Sequence, residues 1–235
     1  MILREIKSFV RRRRRLSKRE SQGMELGWPK FGITVNQPLD LDQCFHRSAP
    51  KILEIGFGMG DTLLHMAKQH SECDYLGIEV HAPGVATVMA GIVEQQLSNV
   101  RIIQEDAVSV LTQYIPDNTF SRIHIFFPDP WPKLRHHKRR LIQDEFVDTI
   151  VQKLRMGGVL HVATDWENYA MQIMRVLSSK KNLQNCSGEH QFADNQNHAL
   201  RMQTKFEKRG VELGHNVWDM LFRKTHPAAL IPRRA

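Results

Sequence analysis

One acid in this chain stands between two prolines. Pro128-Asp129-Pro130-Trp131-Pro132-Lys133 follows an apolar run, Ile123 to Phe127, that reads as a buried strand. A strand end needs only a turn, which Gly, Asn or Ser makes more simply. The prolines fix their own φ, lack an N–H and restrict the residue before them, so the Asp129 carboxylate is carried on stiff backbone. Five basic residues follow within eight positions: Lys133, Arg135, Lys138, Arg139 and Arg140. A rigid carboxylate beside phosphate-seeking cations points to chemistry on a nucleic acid. A solvated helix face is the bland alternative for such a cluster.

Other acids and glycines recur where apolar runs end. Glu54 precedes the loop Gly56-Phe57-Gly58-Met59-Gly60, and Glu79, Asp106 and Asp165 close later runs. The loop follows a strand and opens a helix, which lets backbone approach a ligand closely. A dinucleotide fingerprint needs Gly or Ala at 61, where Asp61 stands, and no GK[ST] triplet follows. Asp61 at a helix start also disfavours a pyrophosphate. The remaining nucleoside cofactor of such an architecture is S-adenosylmethionine, which has no phosphate and carries a sulfonium and an ammonium. Glu54 is placed to face the ammonium. Glu79 lies 23 residues after Gly56, close to the spacing of an acid that binds ribose hydroxyls. Asp106 is placed to accept from the adenine amino group. Each acid alone is equally well a surface carboxylate or a cap; together, at successive strand ends, they favour a cofactor site.

The elements that must position these groups alternate between strands and helices. Strands are expected at 51–55, 75–80, 100–104, 122–127 and 159–164, with helices at 61–70, 84–97, 107–113, 138–154 and 166–179. A further strand is expected at 217–223, and 180–210 reads as mostly loop. This order argues for a Rossmann-like α/β fold: a mostly parallel sheet with helices on both faces and an antiparallel C-terminal strand. Ligands bind beyond the carboxyl ends of such strands. Thr164 and Glu167 have capping-box spacing, which puts Asp165 in the first turn of the next helix.

The chain has 235 residues, is 41% hydrophobic and carries a net charge of +8. Residues 1–20 hold nine Lys or Arg against two Glu, so the excess sits in the tail. This divides the chain into a basic, flexible arm at 1–20, suited to a polyanion, and a single domain at 21–235. No apolar stretch approaches the ~18 residues of a membrane span. Three scattered cysteines without a CxxC pair read as reduced thiols in a cytoplasmic protein. His136 and His137 lack metal-ligand spacing, and no metal is expected. Trp131 suits either a base stack or a structural anchor. The chain is expected to be a monomer or a homodimer.

With these pieces assembled, the chain resembles the bacterial tRNA (guanine-N7)-methyltransferase family (TrmB), class I methyltransferases that use S-adenosylmethionine. The resemblance rests on LEIGFGMG at 53–60, GIEVH at 77–81, EDA around Asp106, FFPDPWPK at 126–133, RHHKRR at 135–140, ATDWE at 163–167 and TKFE at 204–207. It implies methylation of guanine N7 in the tRNA variable loop. It also implies cofactor contacts at Glu54, Gly56, Gly58, Gly60, Glu79, Asp106 and Asp129, with Asp129 catalytic. Substrate contacts are implied at Lys133, Asp165, Thr204, Lys205, Phe206 and Glu207, and RNA contacts at Arg135, Lys138, Arg139 and Arg140. Two other readings stay open on the residues alone: an amino-methyltransferase acting on adenine or cytosine, and an inactive RNA-binding protein on the same fold.

Overall fold

The computed structural model describes residues 7–9, 14–194, 201 and 216–226. The parallel strands are β1 (Lys51–Ile55), β2 (Asp74–Ile78), β3 (Val100–Ile103), β4 (Phe120–Phe126) and β5 (Leu154–Thr164). With the short β6 (Leu183–Asn185) and β7 (Trp218–Lys224) they form one sheet in the order β3-β2-β1-β4-β5-β7-β6. β1 to β5 run parallel, and β7 runs antiparallel to both β5 and β6. The chain moves outward from β1 to β3 and then returns to β4, so the strand order reverses between β1 and β4. A crevice opens at such a reversal.

Period-two alternation sends Leu53, Ile55, Ile123, Ile125, Leu160 and Val162 into the larger core. That core is closed by α6 (Asp144–Lys153) and α7 (Glu167–Ser178) through residues such as Val147, Ile150, Tyr169 and Ile173. The opposite face is covered over β1 to β3 by α3 (Asp61–Gln69) and α4 (Ala82–Glu94), where Ile52, Tyr75 and Ile102 meet Leu63, Val85 and Met89.

Two helices precede the sheet: α1 (Lys18–Phe31) and α2 (Leu41–Phe45). Helix α1 begins in a capping box in which Ser17 and Glu20 bond each other's backbone amides. Glu20 is buried and also takes hydrogen bonds from Arg14 and from Thr87 on α4. The Arg14 guanidinium holds its carboxyl far below the usual range. The expected division of arm from body at residue 20 therefore falls inside a helix that is anchored to the domain. Gly23 lets α1 lie flat on α4, since a Cβ there would sit 2.6 Å from Ala90.

A second difference concerns the basic cluster. The single helix expected over 138–154 is instead a 3₁₀ segment, Leu134–Arg139, followed by α6 starting at Asp144. The dipole explains the break. A helix beginning at Lys138 would stack cations on its positive end, whereas Asp144 and Glu145 complement it.

Candidate active site

The cavity at the reversal point has a volume of about 170 Å³ and is bounded by the ends of β1 to β4. Gly56, Glu79, Asp106, Phe127 and Asp129 line it, together with Ser8 and Phe9 from the N-terminal segment. Acids from three separate strand ends thus meet at one cavity. Gly56, Gly58 and Gly60 all have positive φ, at 70°, 57° and 80°. A Cβ on Gly60 would reach within 2.0 Å of Val88, so this position requires glycine on two counts. Helix α4 closes on the loop just as tightly: a Cβ on Gly84 would lie 2.1 Å from the Gly58 carbonyl oxygen.

The acids differ in how they are held. Glu79 is buried and accepts from the backbone amides of Gly58, Val80 and His81 at 3.0, 2.6 and 2.9 Å, so it fastens the glycine loop to the end of β2. Asp106 caps α5 (Ala107–Gln113) by accepting from Val108, and it pairs with Lys7 at 2.9 Å. Glu54 is buried on the sheet face opposite Leu53, and its Oε2 has no hydrogen-bond partner among the described residues. Burial pushes its pKa up to about 8. It does not itself line the cavity but sits one strand position back from Ile55, which does.

Asp129 is exposed on the cavity side of a strained loop. Phe127 and Trp131 on either side of it have φ of 51° and 43°, outliers for bulky aromatic residues. Three arginines hold this backbone. Arg201 lies over the Phe127 ring at 5.1 Å and forms a buried bidentate pair with Asp219 at 2.8 and 2.9 Å. Arg139 lies over Trp131 at 4.0 Å, and the Trp131 indole donates to the Ser8 carbonyl at 3.0 Å. Arg140 donates to the Pro130 carbonyl at 2.8 Å. Trp131 is thus an anchor between the loop and the N-terminal segment.

Among the expected RNA contacts, Lys133, Arg135 and Lys138 are exposed and Arg139 half-buried. Arg140 departs from the expectation. It is only 2% exposed and spends its donors inside the protein. Asp165 is half-buried in the link between β5 and α7. The expected capping box does not form there: Thr164 accepts from Trp166 instead, and α7 starts at Glu167, leaving Asp165 ahead of the first turn. Thr204, Lys205, Phe206 and Glu207 lie outside the described residues.

Two histidines that the sequence does not single out extend Glu54 into a row of polar groups. Glu54, His124 and His161 are in register across β1, β4 and β5, and His161 bonds Asp219 of β7 at 2.7 Å. A His set among β-branched residues in Ile123-His124-Ile125 and in His161-Val162 was the available signal. Burial holds both imidazoles below their usual pKa.

Residues 48–220 match a family model described as "Putative methyltransferase". The 16S rRNA methyltransferase KamB has the same fold, with a TM-score of 0.60 at 14% identity over 83% of this chain and 98% of its own. A 30S ribosomal A1408 methyltransferase from an uncultured bacterium gives 0.56 over 83% and 98%. The molecule is therefore a Rossmann-like α/β methyltransferase.

Its relatives narrow the class. A tRNA (guanine-N(7)-)-methyltransferase of Nitrosospira multiformis is 50% identical, covering 96% of this chain and 97% of its own length. Those of Alkalilimnicola ehrlichii and Escherichia coli are each 48% identical, covering 95% and 94% of this chain and 95% and 92% of theirs. The chain belongs to the tRNA (guanine-N(7)-)-methyltransferase family.

Proposed function

We propose that this protein methylates N7 of a guanine in the variable loop of tRNA, at tRNA position 46, using S-adenosylmethionine in the bacterial cytoplasm. The observation that carries the reading is the meeting of the β1, β2, β3 and β4 ends on one cavity, flanked by the exposed cations of 133–138. The residues present fit the cofactor. Gly56 and Gly58 have open space where a side chain would begin, which leaves backbone free for a close ligand, and the buried Glu54, whose Oε2 is unpartnered among the described residues, suits an ammonium. When bound, that cofactor supplies a methyl group activated by a positive sulfur. Glu79 and Asp106 would hold its ribose and adenine ends, with Lys7 yielding Asp106 or staying beside it.

Guanine N7 is a lone pair without a proton, so the chain need not provide a general base. It must hold N7 in line with the methyl group, which is a task of orientation. Asp129 faces the purine as it becomes cationic, and Asp165 accepts from the guanine N1–H and amino group, a pairing that adenine cannot make. Lys133, Arg135 and Lys138 neutralise phosphates, which makes binding salt-dependent. Thr204, Lys205, Phe206 and Glu207 complete the acceptor side in this reading.

The test is incubation with methyl-labelled S-adenosylmethionine and unmodified tRNA, followed by digestion to nucleosides. Label is expected in N7-methylguanosine, and it is expected to vanish from tRNA carrying adenine at the variable-loop position. Label in N6-methyladenosine would support the amino-methyltransferase instead. A second outcome concerns the cradle. In Gly84→Ala the new methyl displaces the Gly58 carbonyl, and calorimetry is expected to show S-adenosylmethionine affinity lowered about tenfold or more.

A further inference from the structure

Arg140 sits at the end of a cluster of exposed cations and is itself buried. Its Nε donates to the Pro130 carbonyl at 2.8 Å, one nitrogen of its fork to Gln172 at 2.6 Å and the other to Asn168 at 2.9 Å. The guanidinium plane lies over the Tyr169 ring at 4.7 Å. Tyr169 is fixed in turn by the Ile142 amide, which donates to its hydroxyl at 3.0 Å. None of these partners is a carboxylate. A buried cation balanced only by amide oxygens, a carbonyl and a ring face is costly, and a charge so placed is rarely kept for stability alone. What it joins is specific. Pro130 follows Asp129 directly, and Asn168 and Gln172 lie on α7, the helix entered two residues after Asp165.

We propose that Arg140 is a positioning residue that acts through Pro130 to hold Asp129 over the cavity, fixing the Asp129 loop to the helix behind Asp165, and that it makes no contact with RNA phosphate. The planar fork explains why arginine is needed. It reaches three acceptors in fixed directions, whereas a lysine ammonium on a flexible stem reaches a carbonyl but cannot span to α7 in the same plane. The strain at Phe127 and Trp131 supplies the demand, because a backbone held in that region relaxes when its restraints are removed. The inference rests on the proposed methyl transfer, since it assigns Asp129 and Asp165 to the two sides of one reaction.

The experiment compares Arg140→Lys, Arg140→Gln, the double variant Asn168→Ala/Gln172→Ala and Arg135→Ala. Steady-state kinetics with tRNA are combined with the salt dependence of tRNA binding measured without S-adenosylmethionine. For Arg140→Lys, kcat is expected to fall at least about tenfold, by misplacement of a reacting group, while the KM for tRNA stays within about twofold. Arg140→Gln removes the charge, and its binding slope against log salt is expected to match wild type. The double variant keeps the cation and cuts its bridge to α7, together with the Gln172 donation to the Ile142 carbonyl at 3.2 Å, so it should lose kcat in the same direction by a smaller factor. Arg135→Ala serves as contrast, with a slope reduced by about 0.7–0.9 for one lost phosphate contact. A reduced slope in Arg140→Gln, or unchanged kcat in the double variant, overturns the inference. Wild type must yield N7-methylguanosine in the same assay, and its failure to do so would count against the proposed function rather than against Arg140.

Discussion

Asp129→Asn is expected to lower kcat for methyl transfer by about 10²–10³, the usual loss when one preorganised electrostatic group is removed. Asparagine keeps the shape of the side chain and removes its charge. The bound cofactor would supply a methyl group on a positive sulfur and be left as a neutral thioether, so the positive charge would come to rest on the purine beside Asp129. A carboxylate held in place before the reaction stabilises that shift without reorganising. The loop that carries Asp129 is restrained in advance. Phe127 and Trp131 are strained on either side, three arginines restrain it, and Asp129 itself makes no hydrogen bond among the described residues. Affinity for S-adenosylmethionine should change about tenfold at most, because Glu54, Glu79 and Asp106 remain. Single-turnover rates with calorimetric affinities separate the two effects. Near-normal kcat with much weaker cofactor binding would reduce Asp129 to a cofactor ligand.

The parallel sheet and its strand ends were legible because they depend on local patterning. Apolar runs ending in Gly56, Glu79, Asp106 and Asp129 mark successive strands, and open sheets gather such ends at one edge. The N-terminal helix escaped notice although its signal, Ser17 three residues before Glu20, is a capping box. The surrounding charge masked it: a carboxylate among nine cations reads as part of a solvated tail until Thr87 and Arg14 are seen to bury it. Arg140 was misread for a related reason. Nothing local distinguishes it from Arg135 or Lys138. Its burial is set by Tyr169, Asn168 and Gln172, which are about thirty residues away in sequence. Likewise, the His161–Asp219–Arg201 cluster joins β5 to β7 and to a residue outside the sheet, so no spacing rule could reveal it.

Binding of S-adenosylmethionine is expected to release a proton, and its apparent affinity to rise about tenfold per pH unit between pH 6 and 8. Glu54 is the expected source. Burial raises its pKa to about 8, so in the empty protein it is mostly neutral at pH 7. The groups nearest in the sheet do nothing to ionise it. His124, in register on β4, is itself held neutral by burial, Gly77 on β2 has no side chain, and Tyr75 is an unpartnered phenol. An ammonium delivered to Glu54 favours the carboxylate, so binding must expel the proton. Above about pH 8 the ligand's own α-amino group begins to lose its charge, and affinity should level and then decline. The stability of the empty protein has the opposite slope. An unfolded glutamate titrates near pH ~4.3, so between that value and 8 the folded chain retains a proton that the unfolded chain has lost. Folding stability therefore falls as pH rises through this window. Glu54→Gln mimics the neutral acid and removes the penalty. It should melt above wild type at pH 8 without ligand, bind S-adenosylmethionine far more weakly, and show no pH dependence from this site. Calorimetry in buffers of different ionisation enthalpy counts the protons directly. No proton release at pH 7, together with wild-type affinity in Glu54→Gln, would remove Glu54 from the cofactor site and leave its burial without a function.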